Sequence, residues 1–145
     1  MNADNYTILK ESKFFSVLPH SVLESLANIA SLKRYKKGDL IIKEDTSPGG
    51  CYIIVSGNAT VYSLNNQAGV KYVISTVGIH NIIGEFSAIN RKHSLFSVEA
   101  NDDVECLFLD VDTFSQLLKQ HPAVSQALLP VVVERIHELV EFFMK

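Results

Sequence analysis

Six short apolar-rich stretches, some with polar residues interleaved and some without, occupy the middle of the chain: Leu40-Ile41-Ile42, Cys51 to Val55, Ala59 to Leu64, Tyr72 to Val77, Leu95 to Ala100 and Val104 to Leu109. These runs are rich in β-branched and aromatic residues, the pattern of half-buried strands. Turn formers separate them, among them Lys37-Gly38-Asp39, Ser47-Pro48-Gly49-Gly50, Ser56-Gly57-Asn58, Asn65-Asn66, Gly69, Gly78 and Asn101-Asp102-Asp103. Many short strands at even spacing predict a closed barrel, a sandwich or a jelly roll. Ser56-Gly57-Asn58 reads as a tight hairpin turn, because Gly and Asn tolerate positive φ.

Toward both ends the period lengthens to that of a helix. Residues 6–32 read as helical, with Leu18, Val22, Leu23, Leu26, Ile29 and Ala30 at three-to-four spacing. Pro19 suits a first helical turn, and Ser21 with Glu24 has the spacing of a capping box. Phe14 and Phe15 are expected to dock the helices on the core. From Asp112 helical spacing returns, with Asp112 or Thr113 as cap and Phe114, Leu117 and Leu118 facing inward. His121-Pro122 ends that helix, and a second begins at Ala123. Pro130 either kinks it or opens a third. Val132, Ile136, Leu139 and Phe143 then form a short coiled-coil-like seam, which serves either to pack on the barrel or to pair two chains.

One stretch breaks the strand rhythm. From Ile83 to Val98 a glycine, a carboxylate and a short apolar turn precede the basic Arg91-Lys92-His93, and alternation resumes at Leu95. A short helix between two strands offers backbone N–H groups to an anion. Gly84 leaves room for close backbone approach. Glu85 sets beside them an acceptor suited to a hydroxyl. A ligand with both a negative charge and a ribose-like hydroxyl fits that chemistry.

Gly84-Glu85, the turn Phe86-Ser87-Ala88-Ile89 and the closing Ser97-Val98 resemble the phosphate-binding cassette of cyclic nucleotide-binding domains. Phe14-Phe15-Ser16-Val17-Leu18, Lys37-Gly38-Asp39-Leu40-Ile41-Ile42 and Tyr52-Ile53-Ile54-Val55-Ser56-Gly57 resemble further family signatures, in the same order. The resemblance spans about Phe14 to about Phe143. It implies a mainly β fold: an eight-stranded β-roll or jelly roll (a double-stranded β-helix) with N- and C-terminal α-helices. The implied organisation is a single domain over residues 1–145, helical over 6–32, β-roll over 33–111 and C-terminal helices over 112–145. Glu85 would accept a ribose hydroxyl, and the backbone from Gly84 to Ser87 would face the phosphate. The implied binding set is Gly84, Glu85, Phe86, Ser87, Ser94, Leu95, Ser97 and Arg91. The sequence also departs from the family pattern. The phosphate-binding arginine falls on Ser94 and its neighbouring proline on His93, while His80 replaces a turn glycine and Asn81 an aspartate. Arg91, Lys92 and His93 are candidates for the missing charge. A lost arginine–phosphate pair costs about 2–5 kcal/mol.

Composition narrows the partners. Apolar residues make up 47% and charged residues 20% of 145, which is globular. A net charge of −3 and a pI near 5.9 argue against this segment gripping nucleic acid. No apolar run approaches a membrane span, and the first residues lack the features of a signal peptide. Cys51 and Cys106 sit in strand-like runs without metal spacing and read as buried free thiols, which with the missing signal peptide suggests the cytoplasm. The five histidines show no metal-ligand spacing, and no catalytic or dinucleotide motif occurs, so a non-enzymatic module without cofactor or metal is expected. Two readings remain. One is a regulatory module that binds cyclic AMP or cyclic GMP, signals through its C-terminal helices, pairs as a homodimer and forms the sensor half of a transcription regulator. The other is a degenerate module that has lost the nucleotide and serves in interaction or dimerisation.

Overall fold

Strand β3 (Gly50–Ser56) shows how the molecule is layered. Cys51 and Ile53 face one apolar cluster, Tyr52 and Ile54 a second, and all four are buried. A strand buried on both faces loses its polar alternation, so this run reads as continuously apolar. Strand β8 (Val104–Asp110) behaves alike, with Leu107 and Leu109 in the first cluster and Val104 and Cys106 in the second. The second cluster fills the space between two sheets. The first lies between one sheet and the helices.

The computed structural model describes residues 3–47, 49–65 and 69–144, with the side chains of Ala3, Asn65, Phe86, Asn90, Phe142 and Phe143 outside that description. Helices α1 (Ala3–Glu11) and α2 (His20–Ile29) lead into β1 (Ser31–Tyr35), β2 (Leu40–Ile42) and β3. Then come β4 (Ala59–Asn65), β5 (Val70–Val77), β6 (Ile82–Ile83), α3 (Glu85–Asn90), β7 (Ser97–Ala100), β8, α4 (Val111–Gln120) and α5 (Pro122–Met144). Four strands in the order β1-β8-β3-β6 form one sheet and four in the order β2-β7-β4-β5 the other, each antiparallel throughout. This is the expected β-roll with flanking helices.

Several expectations need correction. Residues 6–32 are not one helical run: two helices flank a turn, and Ser31 and Leu32 already belong to β1. That strand carries its charges productively, with Arg34 paired to Glu105 across β8 at 2.9 Å and Lys33 over the Phe108 ring. Ser56-Gly57-Asn58 is not a hairpin, because β3 and β4 lie in different sheets. It is a corner in which Gly57 has φ 83°, and a Cβ there would meet the Asp103 carbonyl at 2.2 Å. The cap of α4 is Asp110, whose carboxylate accepts from the Thr113 amide at 2.8 Å. Pro19 stands at the N-cap of α2 without a side-chain cap, and Glu24 pairs with His20 in place of the capping box. His121 does end α4, and Pro122 opens α5. Pro130 opens no third helix; it sits inside α5, in keeping with the first of the two alternatives. The exposed apolar stripe on α5 is Leu129, Val133, Ile136 and Val140, rotated from the anticipated one: Val132 and Leu139 are half-buried, and the Phe143 side chain lies outside the described residues.

Candidate functional site

The cassette bridges the two sheets. β6 pairs with β3 in one, β7 pairs with β2 and β4 in the other, and α3 spans the gap. Gly84 enters α3 with φ 81°, and its Cα lies so close to the β2–β3 loop that a Cβ would stand 2.6 Å from the Gly50 carbonyl oxygen. Only glycine meets both demands. The far arm is stitched to the same loop. The Ser94 amide donates to the Thr46 carbonyl at 3.0 Å, the Asp45 amide to the Ser94 carbonyl at 2.8 Å, and the Glu44 amide to Ser97 Oγ at 2.9 Å. The turn before the cassette accommodates its unusual residues: His80 itself adopts φ 74°, and Asn81 Oδ1 accepts from the Gly78 amide at 2.7 Å.

Between these arms lies a cavity of about 30 Å³ lined by Ile83, Gly84, Glu85, Ser87, Ser94, Leu95, Phe96 and Arg135, among others. That is room for about one water. A neighbouring space of about 130 Å³ shares Gly84, Ser87 and Ser94 and runs under the β2–β3 loop toward Tyr52. Of the residues singled out from the sequence, Gly84, Glu85, Ser87, Ser94 and Leu95 line the cavity. Ser97 and Arg91 do not join them. Ser97 is buried and bonded to the Glu44 amide, and Arg91 turns outward to pair with Asp112 of α4 at 2.8 Å. The left-handed backbone of Arg91, φ 57°, closes α3 and sends its side chain away from the cavity. Lys92 and His93 are exposed as well. The Phe86 side chain lies outside the described residues.

Glu85 is the unusual group. It is 1% exposed, and neither carboxylate oxygen has a hydrogen-bond partner. Among the described residues its charged partner is Arg135 of α5, with Nη1 3.1 Å from Oε1. That distance makes an ion pair, but the N–H is not aimed at the oxygen, so the carboxylate stays unbonded. Nη2 donates to the Ile82 carbonyl oxygen. Burial pushes the Glu85 carboxyl above the usual glutamate range; the guanidinium and, less, the residue's own backbone amide, too poorly aligned for a full hydrogen bond, offset part of that rise. The Cys51 thiol nearby is pushed well up by burial, with a contribution from Glu85. A sequestered acid with two vacant acceptor oxygens is suited to receive hydroxyl donors.

Arg135 is the residue that reading the sequence missed. A signal was present. Val124, Leu128, Val131, Arg135 and Glu138 follow one another at four and three, the first two are fully buried and the rest half-buried, so an arginine stands on the inward stripe of α5. A charge on such a stripe needs a buried partner.

Among the described residues no three of His, Cys, Asp or Glu converge as a metal site, and no helix is long and apolar enough to cross a membrane. Residues 32–121 match the family described as cyclic nucleotide-binding domain. The regulatory subunit of cAMP-dependent protein kinase from Debaryomyces hansenii is 33% identical over 110 residues, covering 76% of this chain and 23% of that protein. The HTH-type transcriptional regulator Cmr of Mycobacterium tuberculosis is 24% identical over 116 residues, covering 79% and 46% respectively. The chain thus spans less than half the length of either relative. Among solved structures, the regulatory subunit of a cAMP-independent protein kinase A from Trypanosoma brucei superposes with a TM-score of 0.83 over 99% of this chain and 52% of that one, at 22% identity.

Proposed function

This chain belongs to the cyclic nucleotide-binding domain family, whose domains are regulatory modules, and on that premise we propose that it binds a cyclic nucleotide, cyclic AMP or cyclic GMP, at the Gly84–Ser94 cassette and signals through α5. The observation that carries this reading is Glu85, almost fully buried with both oxygens unbonded. A fold retains such a group against its desolvation cost where a ligand completes it. Ribose hydroxyls supply the missing donors. Gly84 and Ser87 border the same cavity, and Ser94 adds a hydroxyl.

The cavity of about 30 Å³ is far smaller than a nucleotide, so binding requires its lining to yield. Arg135 is the α5 group that lines it and touches Glu85. Ligand hydroxyls that take over Glu85 weaken that contact, and the helix position shifts with occupancy. Val124 and Leu128 anchor the first part of α5 in the core, while Pro130 removes one backbone hydrogen bond ahead of Arg135. The exposed stripe Leu129, Val133, Ile136 and Val140, at the spacing of a coiled-coil seam, supports pairing with a second copy. In a longer protein such a pair is suited to pass the signal onward, as the sensor half of a transcription regulator does.

The second reading, a scaffold without nucleotide, is favoured by Ser94 and by the small volume of the cavity. Calorimetric titration with 3′,5′-cyclic AMP and 3′,5′-cyclic GMP decides between them. The proposed function expects dissociation constants in the micromolar range or tighter. Absence of heat at millimolar ligand establishes the degenerate module.

A further inference from the structure

The cassette brings no cation of its own into the pocket. Arg91, Lys92 and His93 are exposed, Arg91 faces Asp112, and Ser94 lines the cavity with an uncharged side chain. The charged side chains lining the cavity are Glu85 and Arg135, and Arg135 arrives from α5. A guanidinium carries five N–H donors in a planar fork that matches two oxygens of one anion. Here the contacts of that fork are the Ile82 carbonyl oxygen and a misaligned approach to Glu85. Its side chain is 18% exposed, which leaves it on the border of the cavity that Ser87 and Ser94 also line. An anionic group lodged beside those two hydroxyls shares the cavity with Arg135, whereas the exposed Lys43 borders only the neighbouring space under the β2–β3 loop.

We propose that Arg135 is the specificity-determining residue that binds the anionic group of the ligand, so that α5 supplies the cation the cassette lacks. The inference rests on the nucleotide-binding reading above and deepens it. Phosphate recognition and helix movement become one event, because the group that reads the charge is carried by the element that moves. Arg135 also walls the small cavity off from a cleft of about 260 Å³ lined by Ser75, Val77, Asn81, Pro130 and Glu134. A guanidinium drawn toward a phosphate at Ser87 and Ser94 opens that wall and gives the base a place to lie.

The test compares a charged and an uncharged ligand. Affinities for 3′,5′-cyclic AMP and for adenosine are measured by calorimetry on the wild-type chain, on Arg135→Gln and on the double variant Arg135→Gln/Ser94→Arg. Loss of a charge-assisted pair predicts that Arg135→Gln weakens cyclic AMP about ten-fold or more while adenosine changes by less than about three-fold. The double variant, which returns a guanidinium to the cassette, regains most of the lost cyclic AMP affinity. Arg135→Lys, which keeps the charge, serves should Arg135→Gln fail to fold, and it retains a preference for cyclic AMP over adenosine. Equal losses for both ligands, or tighter cyclic AMP binding by Arg135→Gln, overturn the inference and leave Arg135 as an obstruction only. Wild-type binding of adenosine with no preference for cyclic AMP overturns it too while sparing the pocket. Silence of the wild type toward both ligands overturns the functional reading and this inference with it.

Discussion

Replacing Glu85 by glutamine is expected to stabilise the unliganded protein while weakening its ligand. The carboxylate is 1% exposed and neither oxygen accepts a hydrogen bond, so its ionised form carries an uncompensated desolvation cost. The Arg135 guanidinium at 3.1 Å does not cancel that cost, because the net effect on the carboxyl is a raised pKa. A carboxyl with a raised folded-state pKa holds its proton more tightly folded than unfolded. Stability therefore falls as pH climbs from the ordinary glutamate range through the raised value. Glutamine keeps the shape and removes the charge. The expected gain at neutral pH is about 1 kcal/mol, the lower part of the range for an unsatisfied buried group, or about 3 °C in Tm for a chain of this size. The gain vanishes at pH values below the ordinary glutamate range, where the wild-type carboxyl is protonated in both states. Ligand affinity moves the opposite way, by about one to two decades, the worth of hydrogen bonds to a charged acceptor. Differential scanning calorimetry across pH and titration calorimetry read the two effects separately. A Tm that drops by several degrees at neutral pH would refute the reasoning, for it would make the Glu85–Arg135 pair a structural ion pair.

Three further outcomes follow from the same geometry. Gly84→Ala combines φ 81° with a Cβ 2.6 Å from a backbone oxygen, so chemical denaturation should show a loss of about 2 kcal/mol or more, and an unchanged midpoint would mean the loop moves aside freely. His80→Gly relieves a left-handed residue at φ 74° and should raise the unfolding free energy by up to about 1 kcal/mol, a gain absent if local contacts of His80 hold the turn. Ile136→Glu places a charge in the exposed α5 stripe proposed to pair two copies; sedimentation should report a smaller species than wild type with the β-roll intact by circular dichroism, and a sedimentation coefficient identical to wild type would discard that stripe as an interface.

Much of the fold could be read directly because its strands announce themselves. Runs such as Cys51 to Val55 and Val104 to Leu109 are apolar on both faces, and turn residues fence them. What escaped was set by partners distant in sequence. β1 was not among the expected strands and its first two residues were read as helix; Lys33 and Arg34 look like solvated charge, and only β8 brings Phe108 and Glu105 within their reach. β6 is two residues long, Ile82 and Ile83, too short for any period. Asp110 reads as a strand end until its carboxylate meets the Thr113 amide. In the site, Gly84 and Glu85 were legible because the cassette is contiguous. Arg91 is near the cavity in sequence but does not line it: it stands with left-handed backbone at the end of α3 and pairs with Asp112. Arg135, which lines the cavity, lies on another element, and its approach depends on how α5 packs.

The most direct test of the account measures α5 itself. Spin labels at Val73→Cys and Met144→Cys, both exposed, report the distance between the β-roll and the end of α5, while the native Cys51 and Cys106 stay buried and unlabelled. If the cassette is a receptor that α5 closes, saturating cyclic nucleotide should shift the electron–electron distance distribution, and Glu85→Gln should require more ligand for the same shift. A distribution unchanged by ligand at millimolar concentration would contradict the account.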